Sequence, residues 1–239
     1  MNSSPFLQIT GFLGAGKTRL CRALKAQGFE AIMEVNGLSA PAGGAGSGAV
    51  IGVVDAANLD YQLRDPLIGP LIEKQMQVAD LLYVSKLDLV ELSQVQSELS
   101  SHTETPLLAE LDELFDAVRT IEHNADRPSI ASTFIDLSNE FTTWSFVGPV
   151  RLASGRVENA VRTRPQGAYR LSAEIRTEAN GLAVELVGRV REILPIAKPE
   201  ETKIVAIGAK RLFNPALMDA WWAHEVADSG YTLGMFNSR

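Results

Sequence analysis

The sequence predicts an α/β fold with a mostly parallel sheet flanked by helices, followed by a small α+β domain, on three observations. Short apolar runs alternate with amphipathic segments of helical period through about residue 125. A glycine-rich loop at residues 11–16 joins the first of these runs to the first helical segment. From residue 141 onward the chain changes to aromatic and β-branched runs of period two, the mark of half-buried strands.

Taken in order, residues 6–10 form a short strand that ends at Gly11, and residues 17–27 carry Leu20, Ala23 and Leu24 at helical spacing. Residues 29–35 read as a second strand closed by Asn36-Gly37. Residues 49–54 read as a third, apolar on both faces as a covered parallel strand requires. Between these two lies the run 42–48, rich in glycine and alanine, which cannot hold a helix cheaply. Residues 67–78 are helical and 81–84 are a buried strand that leads into Ser85-Lys86-Leu87-Asp88. Residues 90–100 and 107–115 read as helices, 117–121 as extended, and the polar stretch 124–132 with Pro128 as a linker.

In the second half, 141–147 reads as a strand, 153–162 as an amphipathic helix, and 169–177 and 182–190 as alternating strands about the turn Asn180-Gly181. Residues 203–207 are a last strand. Asn214-Pro215 opens a final helix that carries Trp221 and Trp222, adjacent aromatics of which one is expected in the core and one at its edge. The expected division is a nucleotide-binding domain at 1–130 and a small α+β domain at 138–239.

Composition excludes several functions. A net charge of -7 and a pI near 5.1 give nucleic acid nothing to grip over long range. Nowhere is there the run of about 20 apolar residues that a membrane helix needs. The first residues, Met1-Asn2-Ser3-Ser4-Pro5, lack the basic segment of a secretory signal, so the expectation is a cytoplasmic protein without membrane or nucleic-acid partners. The single cysteine, Cys21, cannot form an internal disulfide or a thiolate metal cage.

The segment Gly11-Phe12-Leu13-Gly14-Ala15-Gly16-Lys17-Thr18 is a full P-loop, or Walker A, placed between strand and helix as that motif demands. Binding polyphosphate takes several donors at close range, and backbone amides supply them only where glycines let the chain wrap tightly. Gly11, Gly14, Ala15 and Gly16 form the cradle, Lys17 pairs with the outer phosphates, and Thr18 offers its hydroxyl to Mg²⁺. The first turn of the following helix adds unpaired amides and its dipole. No Gly-x-Gly-x-x-Gly can be drawn through these glycines, which argues against a dinucleotide site.

This P-loop closely resembles the opening of the CobW-type GTPases, the metallochaperone branch of the family that also holds the urease and hydrogenase nickel-insertion GTPases. Three more stretches are similar and in the same order. Residues 32–41 resemble the family's Glu-x-x-Gly-Leu-Ala-x-Pro segment, Val53-Val54-Asp55-Ala56 its Val-Val-Asp-Ala, and residues 75–90 its Gln-x-x-x-Ala-Asp and Asn-Lys-x-Asp-Leu-Val block. Arg164-Pro165-Gln166-Gly167 and residues 204–208 resemble its second domain. The resemblance implies GTP or GDP and Mg²⁺ as cofactors and hydrolysis of GTP, which the shortened first-switch interval of this chain would make slow. It also implies roles for Lys17 and Glu34 in catalysis, Glu34 beside Mg²⁺ or the attacking water, Gly37 as a γ-phosphate sensor, and Lys86 with Asp88 as the guanine site. An aspartate there accepts two hydrogen bonds that guanine offers and adenine cannot.

The chain departs from that pattern in two places. Only residues 19–33 fill the interval in which the family carries its first switch and a Cys-x-Cys-Cys metal site. Soft-metal transfer depends on those thiolates, so a metal-chaperone role is disfavoured, and the scattered His102, His123 and His224 do not replace them. Ser85 stands where the base motif has Asn, which weakens guanine preference. Two readings stay open: a slow GTPase, and a nucleotide-binding module without significant hydrolysis that presents its second domain to a protein client.

Overall fold

The structure, a computed structural model, describes residues 6–41, 48–121 and 135–227. The chain forms two compact units, Met1–Ser138 and Asn139–Arg239. The segment 124–132 and all but Gly48 of the glycine-rich run lie outside the described residues.

In the first unit, β1 (Leu7–Thr10), β2 (Ile32–Glu34), β3 (Ala49–Asp55), β4 (Leu81–Ser85) and β5 (Leu107–Leu108) form one sheet in the order β2-β1-β3-β4-β5. Every pairing in it is parallel. Among the described residues five helices accompany it: α1 (Lys17–Ala26), α2 (Leu59–Leu63), α3 (Gly69–Gln77), α4 (Leu92–Leu99) and α5 (Leu111–Thr120). All seven residues of β3 are buried, and their alternation explains why. Ala49, Ile51 and Val53 join Leu20 and Leu24 of α1 and Leu114, Phe115 and Val118 of α5 in one core. Gly52 and Val54 face the opposite way, toward Ile72, Gln75 and Met76 of α3. Helices thus cover both faces, the P-loop NTPase α/β architecture, and each large apolar side chain so buried contributes about 1.5–3 kcal/mol of transfer free energy.

Helix α1 stops where its sequence tells it to. Gly28 takes φ 87° just past the C-terminal residue Gln27. The Phe29 amide turns back to the Leu24 carbonyl at 3.2 Å, so Phe29 is tucked beneath the helix. For that reason the second strand is Ile32–Glu34 and not the whole of 29–35.

The expectations after residue 106 need correction. Residues 107–115 are not one helix: Leu107 and Leu108 pair with Leu82 and Tyr83 as β5, and the Leu82 amide is fixed by the Pro106 carbonyl at 2.8 Å. The helix begins at Leu111 and runs through 117–120, which the sequence reading made extended. Leu111, Leu114, Phe115 and Val118 carry the helical period, so the signal was present but shifted by four residues. Helix α2 gave too little periodicity to be read.

In the second unit β6 (Phe141–Gly148), α6 (Ser154–Thr163), β7 (Ala168–Arg176), β8 (Gly181–Val187), β9 (Val190–Ile196), β10 (Thr202–Ala209) and α7 (Pro215–Ala227) follow in order. The sheet runs β6-β10-β7-β8-β9 with every pairing antiparallel. The stretch 182–190, read as one strand, ends at Val187. Gly188 with φ 56° and Arg189 make a two-residue turn, and β9 returns from Val190 opposite Val187.

Trp144, Phe146, Val157, Val161, Leu171, Ile204, Met218 and Trp222 fill the core between this sheet and its two helices. The Trp222 side chain is buried, whereas Trp221 lies at the edge and donates its indole N–H to the Ala160 carbonyl at 3.2 Å. Trp144 donates to Asp219 at 2.7 Å, and its ring meets Trp221 edge-on with centroids 6.3 Å apart. Among the described residues no helix is long and apolar enough to cross a membrane.

Candidate functional site

Parallel strands bring their C-terminal ends to one rim, and the order β2-β1-β3-β4 fixes what stands there. Glu34 ends β2, Thr10 and the P-loop end β1, Asp55 ends β3, and Ser85 with the Lys86–Asp88 turn ends β4. Residues 24 to 45 apart in sequence become neighbours through strand order alone.

The loop has the geometry that its glycines permit. Gly11, Gly14 and Gly16 have φ of 138°, 74° and 99°, all in the region that favours glycine. At Gly11 a Cβ would also lie 2.4 Å from the Val53 carbonyl oxygen, so glycine is required twice over. Ala15 is buried inside the loop, and its amide bonds the Phe12 carbonyl at 3.2 Å. Gly16 forms the N-terminal boundary of α1 without a side-chain cap, which leaves the amides of the first helical turn aimed at the loop.

Lys17 turns back across this loop. Its Nζ donates to the carbonyls of Gly11 at 2.9 Å and Phe12 at 3.1 Å, and only 6% of the residue is exposed. Gly37 packs against the same place: a Cβ on it would lie 2.9 Å from the Leu13 amide nitrogen and 3.0 Å from Lys17 Nζ. Thr18, one residue along α1, donates its hydroxyl to the Glu34 carboxylate, 3.0 Å from either oxygen. An exposed hydroxyl and carboxylate in contact are hard oxygen donors. They fit Mg²⁺, which takes one or two protein oxygens and completes its shell with phosphate and water.

Lys86 and Asp88 do not act on each other in this structure. Lys86 has φ 61°, the one non-glycine positive φ among the described residues, and its Nζ reaches Asp55 Oδ2 at 2.6 Å. A left-handed non-glycine backbone costs about 1–2 kcal/mol, and the ion pair with the fully buried Asp55 carboxylate offsets it. Asp88 sits in the exposed single turn Leu87–Leu89. Ser85 donates its hydroxyl to the Ala15 carbonyl at 2.7 Å and lies 3.1 Å from that of Val54, so it clamps β4 to the P-loop.

Sequence reasoning missed Asp55, Asn58 and Gln75 as members of this rim. Asp55 is 1% exposed and accepts from Asn58 Nδ2 at 2.9 Å as well as from Lys86. A lone acid closing an otherwise apolar strand was the available signal, because a buried carboxylate persists only when paired. Gln75 of α3 donates to the carbonyls of Ser39 at 2.8 Å and Gly37 at 3.4 Å, which ties the Gly37 loop to the body of the unit. The loop Ala109-Glu110 after β5 also reaches the rim, hidden from the sequence by the misplaced helix start.

Cys21 lies on the buried face of α1, and burial first, then the nearby Glu34 charge, pushes its thiol pKa up. A raised pKa means less thiolate at any given pH, hence slower alkylation. Iodoacetamide at pH 8 is expected to modify the folded chain at least about tenfold more slowly than the chain in denaturant, read by mass spectrometry. Equal rates would show that this face of α1 opens. Among the described residues no three His, Cys, Asp or Glu side chains converge on a metal position. His102 pairs with Glu73 at 2.9 Å, and His123 is outside the described residues.

No family model and no curated protein matches the chain. Two solved structures are similar to it over nearly their whole length. The Zn(II)-bound YjiA GTPase from E. coli is 16% identical, with 94% of this chain and 99% of that one covered and a TM-score of 0.37. A Zn(II)-bound triple mutant of YjiA GTPase is also 16% identical, with 93% and 99% covered and a TM-score of 0.35. Overlays this loose transfer no residue roles, and the site stands on its own geometry.

Proposed function

We propose that the chain binds a guanine nucleotide with Mg²⁺ at the P-loop and hydrolyses GTP slowly, as a shortened relative of the CobW-type GTPases. One observation carries the reading: three left-handed glycines, the Lys17 ammonium and the Thr18–Glu34 pair converge at one helix N-terminus. In this reading Lys17 leaves the Gly11 and Phe12 carbonyls and pairs with the outer phosphates, whose charge exceeds what two carbonyl dipoles offer. Thr18 and Glu34 part to hold the metal directly or through water. When bound, Mg²⁺ neutralises developing phosphate charge. Glu34 orients the attacking water, the Gly37 amide faces the terminal phosphate, and Asp88 receives the guanine N1 and N2 hydrogens.

A second reading, a module that holds nucleotide without significant turnover, draws on a specific feature. Helix α1 ends at Ala26 and β2 begins at Ile32, so only residues 27–31 connect them and no long switch segment lies between the two. In either reading the second unit presents a surface to a protein client.

Binding of GTP, GDP and ATP, with and without Mg²⁺, together with phosphate release, tests both. The first reading expects GTP bound at least about tenfold more tightly than ATP, the discrimination falling to near unity in Asp88→Ala, with measurable phosphate release. Tight binding with no release above a blank selects the second reading. Absence of binding to all three nucleotides overturns both.

A further inference from the structure

Beneath the P-loop lies a cavity of about 20 Å³, lined by Gly11, Phe12, Asp55, Gln62, Gln75 and Met76 among others. A water needs about 10–15 Å³ of such space, so the cavity has room for a single bridging molecule. Two oxygens of its lining residues are orphaned. Asp55 Oδ1 and Gln75 Oε1 are buried and take no hydrogen bond from a described protein group, although both residues are at least 98% buried and bonded through their other polar atoms. Both orphans are acceptors. The Asp55 charge is already matched by Lys86, so the fitting occupant is neutral, small and able to donate twice.

We propose that one water in this cavity bridges Asp55 Oδ1 and Gln75 Oε1, and that Asp55 and Gln75 thereby act as positioning residues joining the Gly37 loop to Lys86. The route is continuous. The Gly37 and Ser39 carbonyls accept from Gln75 Nε2, Gln75 Oε1 accepts from the water, the water donates its second hydrogen to Asp55 Oδ1, and Asp55 Oδ2 holds Lys86. Without the bridge a buried carboxylate oxygen is left unmatched, which favours a turn of the Asp55 side chain away from Lys86. Under the function proposed above, on which this last consequence rests, the phosphate-facing and base-facing loops then respond as one.

The test removes Gln75 and reads Lys86, with which Gln75 shares no direct bond. In Gln75→Leu, acylation of Lys86 by an amine-reactive ester, followed by mass spectrometry, is expected to be at least about threefold faster than in the wild type, as the released ammonium becomes accessible. The labelling of Lys198, in the second unit, should stay unchanged. An unchanged Lys86 rate in a folded variant overturns the relay. A crystal structure of the wild-type chain at about 1.5 Å decides the occupant even if the variant does not fold: one solvent peak about 2.6–3.2 Å from both oxygens is expected. An empty cavity, or an anomalous peak there after a rubidium soak, overturns the proposal. Neither labelling nor solvent density depends on nucleotide, so a chain that fails to bind GTP defeats the function proposed above without deciding this one. If GTP does bind, Gln75→Leu should lower the GTP-over-ATP preference about fivefold, whereas a role confined to the Gly37 loop would weaken both nucleotides equally.

Discussion

Lys17→Ala is expected to weaken GTP binding by at least about 100-fold and to abolish phosphate release, because charge-assisted contacts to phosphate contribute about 1.5–3 kcal/mol each. The fold should survive the change. Lys17 donates to the Gly11 and Phe12 carbonyls at the rim of the unit. Loss of those two bonds is offset in part by removal of a buried charge, so the stability change should stay within about 1–2 kcal/mol. Titration calorimetry with GTP and a phosphate-release assay give the two readings. Binding of GTP at the wild-type constant would remove Lys17 from the site and with it the central element of the proposed function.

Gly11→Ala should act on the fold itself. The residue has φ 138°, and the new Cβ would stand 2.4 Å from the Val53 carbonyl oxygen, a backbone atom that cannot swing aside. Backbone strain of about 1–3 kcal/mol and overpacking of similar size add to about 2–6 kcal/mol. For a chain of this length that lowers the melting temperature by roughly 4–24 °C. Far-UV circular dichroism during heating checks it. A melting curve identical to that of the wild type would mean that β1 and β3 can separate at their ends without cost.

The P-loop was legible because its chemistry depends on glycine backbone and on short-range spacing, both printed directly in residues 11–18. The strands β1, β3 and β4 were legible because burial on both faces leaves unbroken apolar runs. What stayed hidden depends on pairing across the sheet. Leu107 and Leu108 are too few to show a period, so nothing local separates a two-residue strand from the helix that follows. Likewise Lys86 and Asp55 are 31 positions apart, and only the adjacency of β3 and β4 brings their side chains together. The sequence placed Lys86 beside Asp88 in one motif, whereas the structure pairs its ammonium with the end of the neighbouring strand. Residue roles taken from the motif alone omit that partner.

The three tryptophans of the chain, Trp144, Trp221 and Trp222, all belong to the second unit, with Trp144 and Trp222 inside its core. Intrinsic indole emission is therefore a private signal of that unit. A denaturant titration followed by fluorescence reports the antiparallel sheet and its two helices alone, while peptide-bond ellipticity reports both units. Coincident midpoints would mark the chain as a single cooperative system, and separated ones would assign the later or earlier step to a named half without any label.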